Sequence, residues 1–498
     1  MKKFTLVALA MMASASCFAQ TTQTTLWNGE DKSDGLWTRC TPEIVDNPLK
    51  EGINTSEKCV KFTITKGDFE KESIVLDLKK ICGETGLNMK DNKRLSIMVK
   101  RSIANNIKVE LSAGAETYWK HIASWYDGNG KWQKLVFDFT NNCDFGDKGY
   151  PTELAIYPLI EDGQANSQDI YVDNIVLEDN PTVNGKSLWH DVADGSLDGK
   201  LELTGSYFKT KCMNTDVNPW KEYSIDDFAA LNNKLSANVT SIDMRKASTL
   251  GVDINKFFED KNPNTIVYAN ENYKHANVVV GADGAGTAES LELTDANAFN
   301  APEDFTATTV KLTRSVREGI NSFVLPFAVT ADELGATQVA KYDSYDKDGD
   351  KKAYFNPVEK EVAANTPFLT MDVAKDKVVG ELTFGEKAIV VTPEKLGEVF
   401  VGVYAPQTAE GKYGIDNNGK LHKGGATATI DAFHAYLNVT GSAAPAAVAF
   451  NDSTPTAING VAADKVANTA VYDLSGRRVY GKLQKGLYIM NGKKVVVK

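Results

Sequence analysis

Residues 60–66 read VKFTITK and residues 131–139 read KWQKLVFDF. In the first, Val60, Phe62 and Ile64 alternate with Lys61, Thr63 and Thr65; in the second, Leu135, Phe137 and Phe139 stand two residues apart. A β-strand sends successive side chains to opposite faces, so this spacing marks strands buried on one side. The same reading gives strands at 73–78, 94–100, 106–112, 118–125, 153–159 and 169–177. Turn-rich spacers such as Asp127-Gly128-Asn129-Gly130 separate them. Eight short strands with little helical periodicity predict a jelly-roll β-sandwich over residues 21–180.

Beyond that module the pattern loosens. In 181–300, Ser187-Leu188-Trp189 repeats the earlier Thr25-Leu26-Trp27, residues 228–235 and 254–260 have helical spacing, and 239–244 reads as a short strand. The run Asn262-Pro263-Asn264-Thr265-Ile266-Val267-Tyr268 resembles a leucine-rich-repeat turn of bacterial surface proteins. A solenoid needs at least three repeats to cover its faces. One or two are countable, so a short mixed α/β connector is expected. Residues 301–452 return to β character, with strands at 307–313, 322–329, 337–345, 352–355, 368–373, 388–391, 399–403, 427–430 and 435–439. That succession predicts a second antiparallel sandwich or barrel. A linker at 453–470 then leads to the final segment, and the whole chain reads as mainly β.

The final segment, 471–498, reads VYDLSGRRVYGKLQKGLYIMNGKKVVVK. Asn491-Gly492 between two β-type runs is a strong hairpin signal, because a type I′ turn needs positive φ at both central positions. The segment is similar to the C-terminal sorting tails of the type IX secretion system through Tyr472, Asp473, Leu474, Gly476, Arg477, Gly486, Tyr488, Gly492 and Lys493. That resemblance implies delivery to the outer surface of, or secretion from, a Gram-negative bacterium, with surface-anchoring machinery as a partner. Residues 1–20 independently read as a secretory signal peptide: Lys2-Lys3, an apolar core over 4–15, and a small-residue cleavage site at Cys17-Phe18-Ala19. No later stretch approaches the ~18 consecutive apolar residues of a membrane helix, so no transmembrane segment is expected.

Composition narrows the partners. Lys+Arg 55 against Asp+Glu 66 gives a net charge of −11, and losing Lys2 and Lys3 with the leader takes it to −13. Such a surface repels phosphate backbones, which excludes nucleic acid as a partner. Five cysteines follow the leader (Cys40, Cys59, Cys82, Cys143 and Cys212), none at zinc-type spacing. In an oxidising compartment the first four allow two bridges in three pairings; free, buried thiols are the alternative. All seven tryptophans precede residue 221, which concentrates aromatic chemistry in the N-terminal region.

The opening Leu26-Trp27-Asn28-Gly29-Glu30 with Trp37, the central Lys131-Trp132-Gln133-Lys134-Leu135 and the closing Tyr171-Val172-Asp173-Asn174-Ile175 resemble the jelly-roll carbohydrate-binding modules. The resemblance implies a polysaccharide or glycan ligand. Sugars present flat C–H faces that stack on aromatic rings. Trp119, His121, Trp125 and Tyr126 lie on or beside one expected strand, and alternation places Trp119, His121, Ala123 and Trp125 on a single face. Either these rings form a glycan platform or they fill the sandwich core, where tryptophan is usually found. The same resemblance implies a structural calcium held by Glu30 and Asp173, pinning the first and last strands; two solvated carboxylates are the alternative. Asp346-Lys347-Asp348-Gly349-Asp350 opens like an EF-hand loop, yet Lys351 replaces the required glycine and Pro357 the bidentate glutamate. An acidic turn is the better reading. The five histidines are scattered, and no nucleophile, zinc or nucleotide motif is present. The expectation is an exported, non-catalytic glycan-binding surface or secreted protein. The rivals are an adhesive protein with a protein partner and a divergent β-sandwich glycoside hydrolase.

Overall fold

The computed structural model describes residues 24–30, 35–40, 42–68, 70–89, 94–113, 119–142, 144–254, 261–346, 351–439, 446–451, 471–472, 478–479, 485–490 and 493–497. The expected signal peptide, Cys143, residues 255–260 of the helical stretch expected at 254–260, residues 347–350 of the acidic stretch and the 453–470 linker lie outside them.

In chain order the first elements are β1 (Thr24–Trp27), β2 (Trp37–Arg39), β3 (Glu43–Asp46), β4 (Lys58–Thr65), β5 (Ile74–Asp77), α1 (Leu78–Cys82) and β6 (Arg94–Lys100). There follow β7 (Asn105–Ser112), β8 (Trp119–Tyr126), β9 (Gln133–Asp138), β10 (Glu153–Pro158) and β11 (Ser167–Glu178). One sheet runs β3-β4-β11-β6-β9 with β1 also on β11, and the facing sheet runs β2-β5-β10-β7-β8. All pairings within these two sheets are antiparallel. Alternation sets the burial. Along β7, Ile107, Val109 and Leu111 are fully buried while Asn106, Lys108, Glu110 and Ser112 face outward. Inward residues of both sheets, among them Phe62, Ile97, Val109, Phe137 and Val172, share one core. This is the expected sandwich, with every expected strand present to within about two residues and three further short strands, β1 to β3, at its start.

The sheet does not stop near residue 180. After the small ribbon β12 (Thr182–Val183) and β13 (Lys186–Ser187) comes β14 (Leu197–Asn214), then β15 (Lys221–Asp226), α2 (Asp227–Lys234), β16 (Leu235–Leu250), β17 (Ile266–Ala269) and β18 (Val278–Val280). The end of β14 pairs with β8 through Cys212↔Ser124, Met213↔Ala123 and Asn214↔Ile122, and β15 lies on its other side. The earlier portion of β14 pairs in parallel with β16, which continues in parallel to β17 and β18. So the connector is a parallel stack, more regular than its sequence advertises. Buried asparagines line it: Asn262 donates to the carbonyls of Val239 and Ala298, Asn264 to Thr294 and Asn297, Asn277 to Pro263 and Glu292. Each satisfies backbone carbonyls that a bend would otherwise leave unpaired.

A buried ionic cluster fastens this stack to the sandwich. Arg94 of β6 donates to both carboxylate oxygens of Asp227, the first residue of α2, at 2.7 and 3.1 Å, and both are at most 1% exposed. Asp227 also accepts from Phe208 N at 2.9 Å. Beside it, buried Glu178 of β11 takes Ser206 Oγ of β14 at 2.6 Å and the Lys134 ammonium of β9. Burial works against both members of the pair: it pushes the Asp227 carboxyl up, whereas Asp227 and Asp138 keep the Arg94 guanidinium charged against it.

Within 301–451, Phe305–Ala307 and Lys387–Ile389 extend the sheet of the stack, and the remaining strands form smaller sheets around two further cores, the first shared with stack residues such as Ile266 and Val279. One of these sheets runs Ser322–Phe323, Phe368–Met371, Gln338–Tyr345, Lys352–Val358, Ala447–Phe450, antiparallel except for the last pairing. Gln338–Tyr345 pairs antiparallel with Lys352–Val358, so the acidic stretch expected as a turn falls between two paired strands. The C-terminal unit is a separate four-stranded antiparallel sheet in which Gly486–Met490 and Lys493–Val497 form the expected hairpin.

The thiols of Cys40, Cys59, Cys82 and Cys212 are all free. Removing one member of the Arg94–Asp227 pair should be severe. Asp227→Asn is expected to lower stability by about 3–5 kcal/mol, because it strands a buried guanidinium. Urea unfolding of the full chain measures this; a loss below about 1 kcal/mol, the scale of an exposed pair, would contradict the burial.

Candidate functional site

The outward face of the sheet β2-β5-β10-β7-β8, continued by β14 and β15, carries the candidate site. Cross-strand register arranges it in rows. Asn106 faces Trp125. The next row is Tyr157, Lys108, Ala123, Met213 and Glu222. Then come Ala155, Glu110 and His121, and finally Glu153, Ser112 and Trp119. The middle is floored by two small buried residues, Ala123 and Ala155. The two ends of β8 raise indoles above that floor: Trp119 is 46% and Trp125 45% exposed. Six residues of strand set them about 20 Å apart. The choice between platform and core therefore resolves for these two side chains: both rings are open to solvent.

His121 lies between them, its ring stacked near Trp119 at 6.2 Å between centroids. Two carboxylates clamp it: Glu110 Oε2 is 2.7 Å from Nε2, a close charge contact short of an aligned hydrogen bond, and Asp216 Oδ1 is 3.0 Å from Nδ1. Burial pushes the Glu110 carboxyl up, but His121 and Lys108 outweigh it and hold it below the usual carboxylate range. Burial lowers Lys108, whose ammonium sits 4.0 Å over the Tyr157 ring. A cleft of about 530 Å³ opens beside Trp125, lined by Asn106, Gln133, Lys211 and Glu222 among others. Gln133 fixes its wall by donating to Trp125 O at 3.0 Å.

One expected site residue fails. Tyr126 is fully buried and belongs to the sandwich core, its hydroxyl within 2.8 Å of Arg101 O and 2.7 Å of Lys131 O. It is one residue past Trp125, so the pleat turns it inward with Ile122 and Ser124. Trp132 is likewise buried, donating to Asn47 Oδ1 at 2.9 Å, and Trp27 packs edge-on against Trp37. Sequence reasoning missed Lys108, Glu110, Asp216 and Glu222. The parity of β7 could have exposed the first two; nothing local brings residues 216 and 222 to β8.

Glu30 and Asp173 do converge. Asp173 is fully buried, and its carboxylate accepts from Asn54 Nδ2 at 2.9 Å and Asn174 N at 2.8 Å. A bulge in β11, with Asn174 at φ 43°, aims it at the N-terminal segment. There Gly29 passes so close that a Cβ would lie 2.3 Å from Asp173 Oδ1. Glu30 accepts from Glu57 N at 2.7 Å and Lys58 N at 3.2 Å, and Lys58 O lies on the same side of Gly29. Burial raises the Asp173 carboxyl, and the Glu30 charge raises it further; only neutral donors act in the other direction. Glu30 is exposed, but Asp173 is not the solvated carboxylate of the alternative reading. A buried carboxylate near a second one, answered by neutral groups and carbonyl oxygens, is a donor set that fits a hard divalent cation.

A second acidic group, Asp295, Asp431 and His434, brings its ligand atoms within 4.8 Å of one another. Here a cation would meet Arg314, whose Nη2 is 3.3 Å from His434 Nδ1. With Nδ1 accepting from that guanidinium, Nε2 carries the ring proton, so neither nitrogen is free for a metal.

No family model matches this chain, and no curated protein does. Among solved structures, it is similar to the Family 11 carbohydrate-binding module from Clostridium thermocellum in complex with a β-1,3-1,4-mixed-linked tetrasaccharide. That match has 14% identity, 31% of this chain, 94% of that chain and a TM-score of 0.22. A Family 30 carbohydrate-binding module matches at 8% identity, 31% and 97% coverage and a TM-score of 0.21. The CBM22-1–GH10 modules of Clostridium thermocellum xylanase 10B with xylohexaose match at 12% identity, 44% and 36% coverage and a TM-score of 0.22. At such identities and TM-scores the likeness by itself says nothing of ligand or activity.

Proposed function

We propose that this chain is an exported, non-catalytic glycan-binding protein that holds a polysaccharide on the Trp119–Trp125 face. The observation that carries the reading is a pair of half-exposed indoles rising from a shallow floor of alanines. Several large rings exposed on one face, unlike apolar residues scattered singly, mark an interaction surface. On this face the polar groups answer one another: Lys108 with Glu110, the His121 ring with Glu110 and Asp216, Lys211 with Glu222. A face so balanced suits an uncharged polysaccharide, whose C–H planes stack on indole while its hydroxyls meet Asn106, Gln133 and the carboxylates.

Hydrolysis is disfavoured by the same geometry. A glycosidase acid must keep its proton near neutral pH, which needs a raised carboxyl, whereas Glu110 is held low. Glu110 and Asp216 are both engaged on the one imidazole of His121. For the adhesive alternative, the exposed large apolar residues described in 301–451 are Val378, Val379 and Val391, with no aromatic among them.

Trp125→Ala is expected to weaken retention in polysaccharide affinity gels about tenfold, equivalent to ~1.4 kcal/mol, and to leave Tm nearly unchanged, as for other surface changes. Tyr126→Phe should do the reverse, costing about 1–3 kcal/mol of stability through the lost buried hydrogen bond and sparing retention. A large drop in Tm for Trp125→Ala, or unaltered retention, would overturn the platform.

Glu30 and Asp173, with the Lys58 carbonyl, would hold a structural calcium that neutralises Asp173 and ties β1 to β11. Chelator should then lower Tm, added calcium should restore it, and Asp173→Asn should remove the response. The pH sign is defined. A carboxyl raised in the folded state binds more protons there than unfolded, so its contribution to stability falls as pH rises through the folded value. In chelator, Tm should therefore decline between the ordinary carboxylate range and neutral pH more steeply than in Asp173→Asn. Matching slopes would remove Asp173 from the site.

Export follows from the leader at 1–20 and the sorting-like tail at 471–498, with the outer surface of a Gram-negative bacterium as the destination. Deleting 471–498 in a host with type IX secretion should strand the chain in the periplasm; continued surface display would rule the tail out as the signal.

A further inference from the structure

The tip between β14 and β15 is anchored at the Trp119–His121 half of the glycan face. Thr215 N donates to His121 O at 3.2 Å. Asp216 contacts His121 Nδ1 at 3.0 Å and accepts from Asn142 Nδ2 at 2.9 Å. Trp220 follows this tip, immediately before β15 and two residues before Glu222. Glu222 pairs with Met213, which pairs with Ala123 of β8. The alternate residues of β15 go the other way: Ile225 and Tyr223 pack into the core, and the Tyr223 hydroxyl donates to Asp138 O at 2.9 Å. Extended one residue beyond the start of β15, that alternation puts Trp220 on the side of Glu222, the face that carries Trp119 and Trp125.

Trp220 is 48% exposed, more than any other tryptophan, and Val217 on the same tip is 38% exposed. The remaining exposed indole, Trp189, is accounted for by packing over the Arg94 guanidinium at 5.9 Å. A tip whose backbone and carboxylate are fixed by polar contacts thus presents one large ring to water.

We propose that Trp220 is a third stacking ring of the glycan face, supplied by the β14–β15 hairpin that extends the sheet beyond β8 rather than by β1 to β11. This rests on the reading of the Trp119–Trp125 face given above. Two strand spacings separate β15 from β8, roughly 10 Å, and Trp125 lies four residues along β8 from the row of the tip, so the diagonal from Trp125 to Trp220 is about 16 Å. A disaccharide does not reach both rings. The occupant is a polymer segment of several sugars crossing the sheet obliquely. Trp220 accordingly separates long chains from short ones.

The test uses the full chain and its Trp220→Ala, Trp220→Phe and Trp125→Ala variants. They are run in native gels containing hydroxyethylcellulose, mixed-linked β-glucan, xylan, galactomannan or agarose. The polymer that retards the wild type, and a disaccharide cut from it, are then titrated. Trp220→Ala should weaken binding of the polymer about tenfold and of the disaccharide less than twofold. Trp220→Phe should recover most of the loss, with Tm unchanged in both. Trp125→Ala should weaken binding of both ligands. Wild-type retention by Trp220→Ala, alongside impaired Trp125→Ala, would overturn the role of Trp220 and leave the function standing. A lowered Tm with equal loss for Trp220→Ala and Trp220→Phe would make the residue structural and overturn it too. If no polymer retards the wild type, the glycan reading falls and this inference with it.

Discussion

The buried contact between Arg94 and Asp227 is the constraint on which the candidate face depends. It joins the sandwich strand β6 to the start of α2, immediately after β15. With Glu178 bridging to Ser206, it holds β14 in the position where its last residues add to the edge of β8. Without that addition, the face would end at β8 and His121 would lose Asp216. A bidentate guanidinium–carboxylate pair is directional, and in a dry setting its loss costs more than its presence gains. Its value here is in register: it decides which residues of β14 lie opposite Ala123.

Much of the sandwich was legible because alternation is local. The period-2 spacing of Val60, Phe62 and Ile64, or of the apolar residues in 106–112, needs no knowledge of partners. The same rule placed Trp119, His121 and Trp125 on one side, and both indoles do stand in solvent. It also contained the error over Tyr126: proximity in sequence suggested membership of the site, while parity assigned the ring to the core. The hairpin at Gly486–Met490 and Lys493–Val497 was readable from Asn491-Gly492 for the reason that turn chemistry is local too.

What stayed hidden was every feature built from distant segments. The strand 197–214 has no single periodicity, since its first portion lies in a parallel stack and its end in an antiparallel edge. Its burial changes face and partner midway. The motif Asn262-Pro263-Asn264 was visible, but Asn277, which does the same job for the next strand, lacks that motif. Glu110 and Asp216 stand 106 residues apart, and only the folded chain reveals the imidazole between them. The candidate cation site is a mixed case: resemblance pointed to Glu30 and Asp173, while the burial of Asp173 appeared only with the structure.

The continuity of β14 has a mechanical consequence. One strand carries the edge of the ligand face at its end and an extended parallel ladder with β16 along the rest of its length. Tension drawn along that strand loads its ladder in shear, so many hydrogen bonds must yield at once instead of unzipping in turn. The joint between sandwich and stack is thereby built to transmit pull.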